Sequence, residues 1–183
     1  MSIEYELKRS DRKTLAVEIR EDGSVLVRAP RRMPLSAVEA FLAEKQDWIQ
    51  EKSRKQKARE QKAEKVRPLT GGERTFYREK AREVFQDRTS FYAGRMGVSY
   101  GRIAIREQKT RWGSCSAKGS LNFNWKLILA PAGVLDYVVV HELAHRKEMN
   151  HSARFWAEVE KIMPDYRKYR DWLRENGYAL QKF

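Results

Sequence analysis

Apolar and polar residues alternate through the first thirty positions, and the alternation predicts strands. Tyr5 and Leu7 share one face. Leu15, Val17 and Ile19 share a face of a second run, and Val25 and Val27 of a third that ends before Pro30. Asp22-Gly23 supplies a hairpin turn between the second and third. The unit reads as a sheet that covers a core, with a docking module as the alternative. The period then lengthens. Ser36 and Glu39 make a capping-box pattern, and Val38, Phe41, Leu42, Lys45, Trp48 and Ile49 follow at helical spacing, predicting one long helix. From Lys52 to Arg67 strong helix formers continue without an apolar stripe, so this part reads as a solvated basic extension. Pro68-Leu69-Thr70-Gly71-Gly72 breaks the pattern and divides the chain into 1–67 and 68–183.

The second part restarts with a helix from Glu73 to Met96. Its buried stripe is Phe76, Ala81, Val84, Phe85, Tyr92 and Met96, and Gly94 and Gly97 end it. A short alternating strand spans 100–107. Residues 109–125 read as a β-hairpin turning at 117–120. Leu121, Phe123 and Trp125 form its apolar face, and Asn122 and Asn124 its polar one. A helix from about Gly133 to Met149 comes next, then a helix capped by Ser152 and carrying Phe155, Trp156, Val159 and Ile162. Pro164 interrupts, and a last amphipathic helix runs from Tyr166 to a stop at Gly177.

One stretch carries the chemistry. His141-Glu142-Leu143-Ala144-His145 is an H-E-x-x-H motif, and His151 lies ten residues after the first histidine. A helix turns about 100° per residue, so residues four apart lie roughly 40° and 6 Å apart and can aim two imidazoles at one ion. His151 joins only if the helix ends and the chain turns back. Asn150 suits that turn because it tolerates the left-handed conformation. Three nitrogens and an open position are the pattern of a catalytic zinc, one ion per chain, with Glu142 as general base. The histidine spacing is that of the metzincin peptidases, although Glu148 stands where those have a turn glycine. Asp136 reads as an acceptor behind a ligand or as a partner of the helix dipole. Cys115 reads as packed and inert. The hairpin beside the active helix is expected to bind a peptide backbone by strand addition, with Arg111, Trp112, Asn122 and Asn124 as substrate contacts.

Composition narrows the class. The chain has 183 residues, only three histidines, one cysteine and a net charge of +13. A single cysteine excludes an internal disulfide. No apolar run reaches membrane-span length, and no signal-peptide pattern opens the sequence, so the expectation is cytoplasmic with no membrane partner. The basic balance admits nucleic acid or a nucleotide as an additional partner.

Arg111-Trp112-Gly113-Ser114-Cys115-Ser116, Asn124-Trp125, the run 136–145, Asn150-His151-Ser152 and Phe155-Trp156 together resemble the YgjP-like metal-dependent hydrolases, relatives of the SprT-like and WLM-type zinc metallopeptidases. The resemblance covers roughly 68–177. It implies an α+β fold with a minimal, gluzincin-like form of the zincin core: an active-site helix and adjacent β-hairpin, preceded by the small β unit and the long basic helix. It also implies Zn²⁺ on His141, His145 and His151, with Glu142 as base and a peptide or protein substrate. Two other readings stay open. One is a metal-dependent phosphohydrolase acting on nucleotides, with Arg111 and nearby lysines on phosphate. The other is a nucleic-acid-associated protein whose zinc is structural. Oligomeric state is not encoded in these patterns.

Overall fold

The computed structural model describes residues 3–183. The fold is mixed α+β, with two three-stranded sheets and six α-helices among the described residues. Two compact units divide the chain, one ending at Lys65 and the other running Val66–Phe183.

In the first unit, β1 (Glu6–Ser10), β2 (Ala16–Ile19) and β3 (Val25–Pro30) form a sheet in the order β1-β3-β2. β3 is central, parallel to β1 and antiparallel to β2, with Val17 opposite Val27. Gly23 makes the β2–β3 turn at φ 80°, a conformation that favours glycine. Its N–H donates to the Arg20 carbonyl at 2.9 Å, and the Asp22 carboxylate accepts from the Ser24 N–H at 2.8 Å. Val25, Val27 and Ala29 pack with Val38 and Leu42 of α1 (Leu35–Glu44) and with Ile49 of α2 (Gln46–Glu64). The expected single helix is therefore two, interrupted at Lys45 (φ −100°, ψ 9°). The Ser36–Glu39 cap does not form either. The helix starts two residues earlier, after Pro34, whose φ of −60° leads into the first turn.

The second unit opens with α3 (Gly71–Met96). Thr70 and Glu73 make a reciprocal capping box: Thr70 Oγ1 accepts from the Glu73 N–H, and the Glu73 carboxylate accepts from the Thr70 N–H at 2.8 Å. That cap starts the helix on the two glycines read from sequence as part of a break. Ala81, Phe85, Thr89, Tyr92, Ala93 and Met96 are its buried residues. Phe76, expected among them, is 61% exposed. It lies five residues before Ala81, which rotates it about 140° from the stripe. Gly97, at φ 64°, closes the helix with the left-handed cap typical of helix ends.

β4 (Ile103–Arg106), β5 (Gly113–Cys115) and β6 (Leu121–Asn124) form the second sheet in the order β4-β6-β5, with β6 parallel to β4 and antiparallel to β5. A 3-10 turn (Trp125–Leu129) leads to α4 (Ala132–Ala144), followed by α5 (Ala153–Ile162) and α6 (Tyr166–Leu180). α4 is the core helix. Val134, Leu135, Tyr137, Val138, Val139, Val140, Leu143 and Ala144 are all buried, and it packs against α3, β5, α5 and α6. Phe85 of α3 stacks on Phe123 of β6 at 4.5 Å.

Three expectations about these helices change. Asp136 serves neither a ligand nor the helix dipole. Its carboxylate takes Arg88 of α3 through two bonds of 2.6 and 2.7 Å and accepts from the Tyr92 hydroxyl at 3.1 Å, tying α4 to α3. α4 ends at Ala144, short of Met149. α6 runs on through Gly177 to Leu180, because that glycine is buried against an indole: a Cβ there would stand 3.2 Å from Trp112 Cζ2. Among the described residues no helix is long and apolar enough to cross a membrane.

Candidate active site

The end of α4 sets the site. His141 and His145 lie one turn apart, and the chain then tightens. The Arg146 N–H donates to the Leu143 carbonyl, and the Lys147 and Glu148 N–H groups to the Ala144 carbonyl, all at 2.9–3.0 Å. Asn150 does not take the left-handed conformation expected of it, since no non-glycine residue among those described has positive φ. The reversal is made by these short-range bonds. It ends where Ser152 Oγ accepts from the Phe155 N–H and starts α5, which leaves His151 just before the cap.

The three imidazoles converge. Their candidate ligand atoms lie within 4.8 Å of one another, and no other His, Cys, Asp or Glu among the described residues joins the group. His141 Nε2 and His151 Nε2 stand 3.0 Å apart. His145 Nδ1 is 3.1 Å from the Glu148 carbonyl, which must accept from it; this fixes the proton on Nδ1 and leaves Nε2 with a free lone pair. The ring of Phe155, fully buried, lies 4.6–4.8 Å from all three imidazole centroids and forms an apolar floor. Burial, helped by the neighbouring His145 and His151, pushes His141 down to about 3, and burial also lowers His145. Both are therefore neutral at pH 7, the form that binds metals. His141 Nδ1 is buried without a partner.

These residues fit a divalent ion. Two nitrogens on a tetrahedral zinc, each roughly 2.0–2.1 Å from it, stand roughly 3.3 Å apart, close to the separation found here. The donors are borderline-soft nitrogens, and only three come from the protein, which leaves one corner for solvent or substrate.

Glu142 is 5% exposed, and burial raises its carboxyl to about 8. It lies against the edge strand β5. A Cβ added at Gly113 would come within 2.5 Å of Glu142 Oε1 and 2.7 Å of its Cγ, so the missing side chain makes the seat for this carboxyl. The sequence reading passed over Gly113, although a lone glycine in a strand beside the motif helix is a signal of close backbone approach.

The expected substrate contacts separate. Arg111 is exposed. Asn122 is half-buried and donates to Ser114 Oγ at 3.1 Å. Trp112 packs against the core beside Gly177 of α6. Asn124 is turned into the fold. It is fully buried; its Nδ2 donates to the Gln108 carbonyl at 2.8 Å and its Oδ1 accepts from the Lys126 N–H at 3.1 Å, so it caps the 3-10 turn. The polar face read from strand alternation is thus half structural. Burial, then the nearby Glu142, pushes the Cys115 thiol up and keeps it protonated. Sequence reasoning also missed Arg146. Its Nε donates to the Ser99 carbonyl and its NH1 to the Ala117 carbonyl, both at 3.0 Å, fastening the β5–β6 turn to the end of α4.

No curated protein matches the sequence. Two crystal structures of metallopeptidase zymogens are similar. Abylysin of Pyrococcus abyssi shares 26% identity over 50% of this chain and 97% of its own, with a TM-score of 0.46. Jannalysin of Methanocaldococcus jannaschii shares 20% over 49% and 93%, with a TM-score of 0.44. The family model described as YgjP-like, metallopeptidase domain, matches residues 13–74 and 72–176, nearly the whole chain, and the chain belongs to that family.

Proposed function

We infer that this protein is a zinc-dependent peptidase whose catalytic domain spans 68–183, a minimal zincin-like core. His141, His145 and His151 hold one Zn²⁺ per chain, and Glu142 is the general base. The observation that carries the reading is the convergence of three imidazoles, with no fourth protein ligand among the described residues, beside a carboxyl seated on a glycine. When bound, Zn²⁺ supplies Lewis acidity that lowers the pKa of water and polarises a carbonyl. Glu142 accepts a proton from the attacking water at a carboxylate oxygen and delivers it to the leaving amine. A cation beside it favours the ionised carboxylate, against the pull of burial. β5 is an edge strand of its sheet, which suits pairing with an extended peptide backbone; Arg111 precedes that strand, and Asn122 stands opposite Ser114 on β6. Residues 1–67 form an appended unit.

The test combines metal content by elemental analysis with hydrolysis of casein and of nucleoside triphosphates, comparing the parent with Glu142→Gln. Casein cleavage by the parent and none by a fully metallated variant is the expected result. Turnover of triphosphates alone would replace the peptidase by a phosphohydrolase. Normal casein turnover in the variant would remove Glu142 as base.

A further inference from the structure

Resting on the peptidase reading, we propose that Arg170 binds a carboxylate of the substrate, either the chain end or an Asp or Glu side chain, one indole's width from the zinc-binding histidines. The path is short and made of rings. Trp156 of α5 lies 5.7 Å from His141 and stacks on His151 at 5.9 Å. Its ring also stacks on Tyr166 at 5.3 Å. The Arg170 guanidinium lies over this platform, 5.4 Å from the Trp156 centroid and 5.7 Å from that of Tyr166. Stacking fixes the plane of a guanidinium and leaves its N–H edges free to meet a carboxylate.

Those edges have no strong partner. The nearest acid is Asp171, whose Oδ1 is 3.8 Å from Arg170 Nε and closer, at 3.2 Å, to Arg174. No hydrogen bond engages NH1 or NH2 among the described residues, and the side chain is 40% exposed. Tyr137 links the platform to the site from below. It lies edge-on to His141 at 5.8 Å and stacks on Tyr166 at 6.4 Å. A weakly paired cation thus lies on a stack of rings continuous with the metal ligands.

The experiment measures binding, so it does not depend on turnover. Zinc-loaded full-length Glu142→Gln protein is titrated by fluorescence anisotropy with labelled peptides of one sequence. One ends in a free carboxylate, one in an amide, and a set of amides carries a single Glu scanned along the chain. At least one carboxylate peptide should bind about tenfold more tightly than the neutral amide, as a charge-assisted bond allows. Whether the free acid or the Glu form gains identifies the source of the carboxylate. Arg170→Gln should bring the ratio near one, and Arg170→Lys should retain part of it, with metal content and melting temperature unchanged in both. Equal binding of charged and neutral peptides, no binding of any, or a preference that survives Arg170→Gln would overturn the proposal. Failure of the parent to cleave any of these peptides would instead count against the peptidase reading and leave the binding ratio as measured.

Discussion

The two sheets of this protein have the same layout and different uses. In each, the third strand is central, parallel to the first and antiparallel to the second. In each, the hairpin turn carries a glycine at φ 80°, and that glycine faces a long basic side chain from further along the chain: Gly23 meets Lys57 of α2, and Gly119 meets Arg146 just past the end of α4. The sheets part at one register position. Val17 opposes Val27 two residues before the last pair of the first hairpin; Gly113 opposes Phe123 at the same place in the second. Val17 packs against its own sheet's core. Gly113 leaves the space that Glu142 fills. A three-stranded scaffold becomes part of a site when its edge strand gives up a side chain and a helix brings a carboxyl into the gap.

The comparison is broken most severely by removing the ligands. His145→Ala should lose zinc by elemental analysis and all peptide hydrolysis, whereas no substitution in the first sheet should change metal content. Glu142→Gln should keep the metal and lose about 10²–10⁴-fold in kcat, the usual worth of general acid–base catalysis. Gly113→Ala tests the register argument directly. The new Cβ must displace Glu142, so kcat should fall with metal content intact. In a Glu142→Asp background, where the carboxyl is one methylene shorter, the same glycine substitution should cost much less. Equal losses in both backgrounds would show that Gly113 serves the strand and not the carboxyl. Val17→Ala, its counterpart, should cost stability of about 1 kcal/mol for its half-buried methyls and leave kcat unchanged. Asp136→Asn should lower the melting temperature by weakening the Arg88 pair, since that carboxylate is only 14% exposed and holds α3 to α4. It should not move the pH profile of hydrolysis, as an acceptor behind a zinc ligand would.

What could be read from sequence was local. The histidine spacing, the Asp22-Gly23 turn and the Ser152 cap are each fixed by neighbours within a few residues, and the structure has all three. The misread features depend on residues far away in the chain. Asp136 finds Arg88 at a separation of 48 residues. Gly177 looks like a helix stop until Trp112 is placed against it, and Asn124 looks solvent-facing until Gln108 is found to use its amide. Phe76 looks buried by its type, but its phase is off by nearly half a turn. Propensity points to Asn150 for the helix reversal before His151, whereas bonds to Leu143 and Ala144 provide it. Periodicity reports which face of an element is apolar. It does not report which polar residue will be claimed by another element.

The smallest expected effect separates the two units by how their helices begin. α1 starts on Pro34 without a side-chain cap, whereas α3 starts on a cap that can be titrated. The bond from Arg67, then those from Thr70, hold the Glu73 carboxyl at about 2, below its ordinary 4.5. A depressed carboxyl pKa means that the unfolded chain binds the proton more readily. The stabilisation is therefore fully present above about pH 4.5 and is lost as pH falls towards 2. Hydrogen exchange of the parent and of Glu73→Gln, compared at equal pH, should show weaker protection in the first turns of α3 for the variant at pH 6. The difference should shrink steadily below pH 4.5, while the first turns of α1 exchange alike in both proteins throughout. A difference in α3 that does not change with pH would mean that the charge of Glu73 is not its source, and no difference at pH 6 would mean that the amide caps as well as the carboxylate. An equal change in α1 would mean that acid loosens both units together and that the cap is not the titrating element.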